Sequence, residues 1–153
     1  MKGECLFGSV SISTPDNTRM SACHCSMCRR WGSGPMLAVH CGSDVQIEGA
    51  SNIATFRSSE WAERAFCSKC GSHLYYRLIP ANDHILSAGL FQEEIGFQFV
   101  EQIFIDRKPA SYTFSNQTEN LTEAEVFVKY ATGCAIGGDQ MLEVRPSCEC
   151  CDA

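Results

Sequence analysis

Three thiols fall within six residues in Cys23-His24-Cys25-Ser26-Met27-Cys28, and no other feature limits the fold so sharply. Sulfurs this close cannot serve several independent disulfides, whose geometry needs separated Cα pairs. They can converge on one metal ion, because each short turn points both of its sulfurs inward. A second pair follows in Phe66-Cys67-Ser68-Lys69-Cys70-Gly71, and a single thiol precedes both in Gly3-Glu4-Cys5. The central cluster supplies three ligands and no evident local fourth. Three protein ligands and one open position are what a catalytic zinc keeps, whereas a structural zinc closes with four.

The chain is long enough for one domain with its own core, at 153 residues of which 44% are hydrophobic. The net charge of −6 opposes sequence-independent binding to nucleic acid. No segment reaches the roughly 20 apolar residues of a membrane-spanning helix. Eleven cysteines without an N-terminal basic and apolar leader point to a reducing, cytoplasmic compartment, where thiols bind metal rather than pair.

The pattern between the clusters is of short alternating strands broken by Gly, Ser, Asn and Pro. Strands are expected at 8–13, 36–41, 44–48, 53–57, 63–66, 73–78, 85–88 and 97–105, with Gly42-Ser43 turning a hairpin between the second and third. Residues 111–121 are polar and read as a surface loop. A helix is expected over 122–132, opened by a capping box of Thr122 and Glu125 and stopped by Gly133. The domain is placed at 2–130, with a Cys-rich tail at 131–153 that carries Cys148, Cys150 and Cys151.

Three groupings of the thiols compete. Cys25, Cys28, Cys67 and Cys70 would make one ribbon, but across a gap longer than the roughly 15–20 residues usual for one. Cys5 with Cys67 and Cys70, and Cys23 with Cys25 and Cys28, would make two sites. An iron–sulfur cluster lacks its compact ferredoxin run.

Four motifs together, Gly3-Glu4-Cys5, Cys23 to Arg30, Phe66 to Ser72 and Ile103 to Pro109, resemble the glutathione-dependent formaldehyde-activating enzyme family, also called the GFA or CENP-V domain family. The resemblance spans roughly residues 2–130 and favours two sites. It implies a mainly β, Mss4-like fold, a β-tent built around zinc knuckles and followed by the short C-terminal helix. It implies one zinc on Cys23, Cys25 and Cys28 with an open position, and a structural zinc on Cys5, Cys67 and Cys70. The family pattern expects a fourth structural cysteine where this chain has Phe7. The vacancy would be met by water, by a donor such as His73, or by Phe7 packing into the space, and occupancy should fall.

The function implied is a zinc-dependent carbon–sulfur lyase acting on a glutathione conjugate or other small-molecule thiol adduct. Cys23, Cys25 and Cys28 are its catalytic metal ligands, and Arg29 and Arg30 are candidates to bind a substrate carboxylate. The alternative is a non-enzymatic zinc-stabilised binding module of the CENP-V type. No nucleic-acid or membrane partner is expected, and a homo-oligomer is left open. Two departures bear on the substrate: Ser111 stands where relatives often have an aromatic residue, and Ala88 to Gln92 replaces a usual Gly-Thr-Leu-Asp-like stretch. Both segments would matter if they rim the pocket. His24, between two ligands, should pack or hydrogen-bond rather than ligate. His40, His73 and His84 default to structural roles, Cys41 and Cys134 to small hydrophobes, and Trp31 and Trp61 to core or pocket wall. Glu60, Glu63 and Arg64 read either as a charged strand face or as residues supporting a site.

Overall fold

Short runs rich in β-branched and aromatic residues, punctuated by turn formers, give eleven strands and two α-helices in the computed structural model, which describes residues 1–92 and 95–131. The order is β1 (Lys2–Glu4), β2 (Ser11–Ser13), β3 (Arg19–Cys23), α1 (Ser26–Gly32), β4 (Met36–Gly42), β5 (Gln46–Glu48), β6 (Ile53–Arg57), β7 (Ala62–Cys67), β8 (His73–Leu78), β9 (Asp83–Ser87), β10 (Gln98–Ile103), β11 (Glu119–Leu121) and α2 (Glu123–Ala131). The mainly β expectation is met. β1, β2 and β5 form a small antiparallel sheet, and the other strands form one large sheet in the order β11-β10-β3-β4-β9-β8-β7-β6. Within it β10 runs parallel to both β3 and β11.

The core fills the space between the two sheets. Val10, just before β2, and Ile12 within it cluster with Val39, Leu74 and Leu86 from the large sheet, all fully buried. Cys5 and Cys67 belong to the same buried cluster, so one set of thiols lies at the seam of the sheets. Gly49 shows how tight that seam is. It sits at φ +76°, and a Cβ there would fall 2.0 Å from the Ser9 carbonyl oxygen.

Two expectations are corrected, and one element is new. The hairpin across Gly42-Ser43 does not form: β4 and β5 join different sheets, β5 pairing with β2 and β4 with β3 and β9. The chain crosses between sheets there with Gly42 at φ +69°. The loop read over 111–121 ends in a strand, because β11 adds to the edge of the large sheet beside β10. α1 was not foreseen, since a seven-residue helix carries too few residues to show a period.

The second helix follows its reading closely. The Glu125 carboxylate accepts from the Thr122 backbone N–H at 2.7 Å, and the Thr122 hydroxyl accepts from the Glu125 N–H at 3.4 Å, completing the capping box. Its far end is tied to the sheet by Lys129, which donates to Glu101 at 2.5 Å and Glu119 at 2.9 Å, and by the Tyr130 hydroxyl, which donates to Glu101 at 2.7 Å. The calls on Gly133, Cys134 and the tail cysteines Cys148, Cys150 and Cys151 lie outside the described residues, as do residue 132 of the expected helix and all of the expected tail beyond residue 131.

Candidate functional site

The thiols separate into two groups of three, Cys23 with Cys25 and Cys28, and Cys5 with Cys67 and Cys70. In each, the sulfurs lie within 4.8 Å of one another. Tetrahedral zinc at about 2.3 Å from each sulfur sets neighbouring sulfurs about 3.8 Å apart, so both donor sets fit the ion. The single-ribbon grouping is not formed.

The central group is assembled at a strand-to-helix junction. Cys23 ends β3, and Cys25 caps α1, its Sγ accepting from the Cys28 N–H at 3.4 Å. Cys28 lies in the first helical turn and is buried. A strand end followed by one helical turn therefore brings all three sulfurs to one point. Cys23 and Cys25 donate to Cys28, and Arg64 adds its charge, so the Cys28 thiol is pulled down to about 3. Cys23 is pushed well above the usual thiol range by its hydrogen bonds to Cys25 and Cys28 and by burial. Against the pull of its hydrogen bond with Cys23, that with Cys28 and burial likewise raise Cys25, so Cys28 is the sulfur that ionises first, and a bound cation would displace the protons that Cys23 and Cys25 keep.

Around this group the chain spends its polar side chains on support. His24 is fully buried. Its Nε2 donates to Gln102 Oε1 at 2.9 Å, which leaves Nδ1 to accept from the Tyr112 hydroxyl at 2.8 Å. Gln102 in turn donates to the Thr118 hydroxyl at 2.8 Å. Burial holds the imidazole below its ordinary value, hence neutral. The reading of His24 as a hydrogen-bonded support is met. Tyr112 stacks on its ring at 5.6 Å; the signal for Tyr112 lay in the Arg107-Lys108-Pro109 motif that precedes it.

A cavity of about 430 Å³ opens beside Cys28, lined by Trp31, Met36, Arg64, His73, Tyr75 and Ser87 among others. Trp31 is thus pocket wall, stacked on Phe56 at 5.9 Å and tilted against His73 at 5.1 Å. Arg64 is 4% exposed and directs both terminal nitrogens at Cys28 Sγ, each at 3.6 Å. Its neighbour Glu63 takes the charged-face role and pairs with Arg77 at 2.7 Å. Arg29 and Arg30 stand on the last turn of α1 and outside the cavity lining, with Arg29 Nε donating to the His24 carbonyl at 3.0 Å. Neither Ser111 nor residues 88–92 rim this cavity. Leu90 instead packs on Gly3, where an added Cβ would come within 3.0 Å of it.

The other group lies where the loop after β1 meets the turn between β7 and β8. Ser9 Oγ sits 3.7 Å from Cys5 Sγ and 3.3 Å from Cys67 Sγ, and Ser72 Oγ sits 3.2 Å from Cys70 Sγ. Ser72's hydroxyl and backbone pull Cys70 down to about 6. Two expectations for the vacancy are corrected. Phe7 does not pack into it, being 69% exposed beside Leu6 at 90%. His73 is not among the donors of this group and faces the cavity by Cys28. Among the described residues no further Cys, His, Asp or Glu joins either set.

The family model for the glutathione-dependent formaldehyde-activating enzyme matches residues 1–107. The chain belongs to that family. An uncharacterised lyase of Schizosaccharomyces pombe is 34% identical over 127 residues, covering 82% of this chain and 93% of that protein. A putative glutathione-dependent formaldehyde-activating enzyme of Halomonas elongata is 27% identical over 85 residues, covering 49% of this chain and 54% of its own length. A crystal structure of a Rhodobacter sphaeroides protein superposes with a TM-score of 0.51 at 25% identity, over 60% of this chain and 88% of that one. As a member of the formaldehyde-activating family, the chain has one relative named as a lyase and another named for formaldehyde activation, and its two three-cysteine groups suit zinc.

Proposed function

We propose that this protein is a zinc-dependent carbon–sulfur lyase acting on a small thiol adduct, of which a hydroxymethyl conjugate of glutathione is the model. The observation that carries the reading is the Cys23, Cys25 and Cys28 group, three buried or half-buried sulfurs with a cavity at Cys28 and no fourth protein donor among the described residues. Zinc held there would supply a Lewis-acidic position at which an incoming thiol loses its proton readily.

The chain's own groups prepare that position. Cys23, Cys25 and Cys28 are the ligands, fixed by β3 and the cap of α1. The His24–Gln102–Thr118 chain and Tyr112 hold the loop between Cys23 and Cys25. Trp31, Met36 and Tyr75 supply apolar cavity wall that limits water around the reacting carbon. Arg29 and Arg30 are proposed to meet carboxylates of an adduct long enough to reach past the cavity. The reaction is redox-neutral: the carbon–sulfur bond breaks, the hydroxyl on that carbon becomes a carbonyl as it loses its proton, and the sulfur leaves as thiolate and is protonated. The reverse direction adds a thiol to an aldehyde.

The test is to incubate zinc-loaded protein with a panel of glutathione and cysteine adducts and to measure released thiol by mass spectrometry. Release that disappears in Cys23→Ser supports the lyase. A wild-type protein that holds zinc at this group and turns over no adduct would make it a zinc-stabilised binding module instead.

A further inference from the structure

The Cys28 cavity contains a charge whose role the ligand set alone does not explain. Arg64 is a guanidinium 4% exposed, and among the described residues no carboxylate lies in ion-pairing distance of it. A buried arginine without an acidic partner is costly and is retained where an anion meets it. Its contacts are Cys28 Sγ, at 3.6 Å from both terminal nitrogens, and the face of Tyr76, 5.3 Å from its ring centre. The fold builds this position from three strands. Phe56, Arg64 and Tyr76 are register partners across β6, β7 and β8, so they share one face of the sheet. Trp31 of α1 stacks on Phe56, which roofs the row and keeps water from the guanidinium.

We infer that Arg64 is the counter-charge that makes the Cys23, Cys25 and Cys28 centre select an anionic sulfur donor, a thiolate, over neutral donors. This deepens the lyase reading and rests on its open position. The argument is one of charge. Three thiolates on a divalent ion carry one net negative charge, which disfavours the arrival of a fourth anion in a poorly solvated cavity. Arg64 cancels that charge from the side of Cys28, so a thiolate reaches a neutral centre. A neutral donor such as imidazole gains nothing comparable from the cation. The planar fork leaves N–H groups beyond those spent on Cys28, and Arg64 also lines the cavity. Arg64 acts through Cys28, which makes it a positioning and specificity residue rather than a ligand.

The experiment uses cobalt-loaded protein, whose visible absorption reports on sulfur ligation, in a Phe7→Cys background that supplies the other centre with a fourth thiol. Any response remaining at that centre is common to all variants, since Arg64 does not touch it. Wild-type Arg64, Arg64→Gln and Arg64→Lys are titrated with 2-mercaptoethanol and, separately, with imidazole at one pH. Arg64→Gln is expected to weaken 2-mercaptoethanol by about tenfold or more, the loss of one charge-assisted contact, while imidazole changes by less than about twofold. Arg64→Lys keeps the charge and is expected to restore most of the thiol preference. Equal weakening of both ligands, or of neither, overturns the inference. If Arg64→Gln fails to hold cobalt, Arg64→Lys decides: retained preference supports the role of charge, and lost preference refutes it. If neither ligand alters the spectrum of protein with Arg64 intact, the open position itself is disproved, and the lyase reading fails with the role of Arg64.

Discussion

Phe7 stands where the family resemblance leads one to expect a fourth cysteine, and its side chain makes the consequence measurable. It points to solvent beside Leu6 and fills no space left by a missing sulfur. Cys5, Cys67 and Cys70 then offer three sulfurs where a structural zinc closes with four, with the Ser9 hydroxyl 3.7 Å from Cys5 Sγ and 3.3 Å from Cys67 Sγ. Phe7→Cys is expected to raise the zinc retained after mild chelation from about one ion per chain to about two, measured by metal analysis after gel filtration. Retention of two ions by the wild-type chain would show that Ser9 or solvent completes the site. Added to the Phe7→Cys chain, Cys28→Ser should act on the other centre alone, removing its metal while leaving the ion held by Cys5, Cys67 and Cys70 in place, because the two groups share no donor.

Elements decide how firmly these residues are held. α2 was legible because its start depends on two side chains three residues apart, a purely local device. Thr122→Ala removes that device and is expected to cost about 1 kcal/mol in chemical denaturation. Lys129→Met takes a cation from Glu101, which is 8% exposed. Solvent reaches the lysine, so the expected cost is about 1–2 kcal/mol, with loosened helix amides in hydrogen exchange. Strand β8 shows the opposite case. Plain alternation sets His73, Tyr75 and Arg77 on one face. The register instead shifts between Ala65 and Phe66, pairing Tyr75 with Ala65 and His73 with Phe66. The extra residue, Leu74, turns His73 toward the face of Tyr76 and into contact with Trp31. No periodicity reports a bulge, so the histidine's place in the cavity was hidden.

At the scale of the whole molecule, the small sheet is joined to the large one by the Val10, Ile12 and Leu74 core and by the Cys5, Cys67 and Cys70 group at its margin. Chelating all metal should therefore lower the melting temperature by on the order of 10 °C, read by calorimetry, since binding to the folded state alone is stabilising. Acid acts through a separate group. Burial holds His84 below its ordinary value of 6.5, with Gly42 accepting from its Nδ1 at 3.3 Å. The unfolded chain takes up the proton first, so this contribution is fully present above pH 6.5 and is lost as the pH falls below it toward the folded value. In excess zinc, the melting temperature should fall between about pH 7 and pH 5, and His84→Gln should reduce that fall.

The sequence by itself determined the donors: which cysteines form a cluster, that the chain is mainly β, and where α2 begins. These follow from spacing and side-chain chemistry, which act over a few residues. It also grouped Cys5 with Cys67 and Cys70, though only through resemblance, since a gap of some sixty residues has no geometry of its own. The tertiary structure decided which cation meets the thiols. Arg29 and Arg30 are adjacent to Cys28 in the chain, yet α1 carries them away from the cavity. Arg64 is 36 residues distant and arrives because β6, β7 and β8 pair in one register beneath Trp31. Contact with Cys28 depends on that pairing, and pairing between distant strands is a property of the folded sheet rather than of any local run of residues.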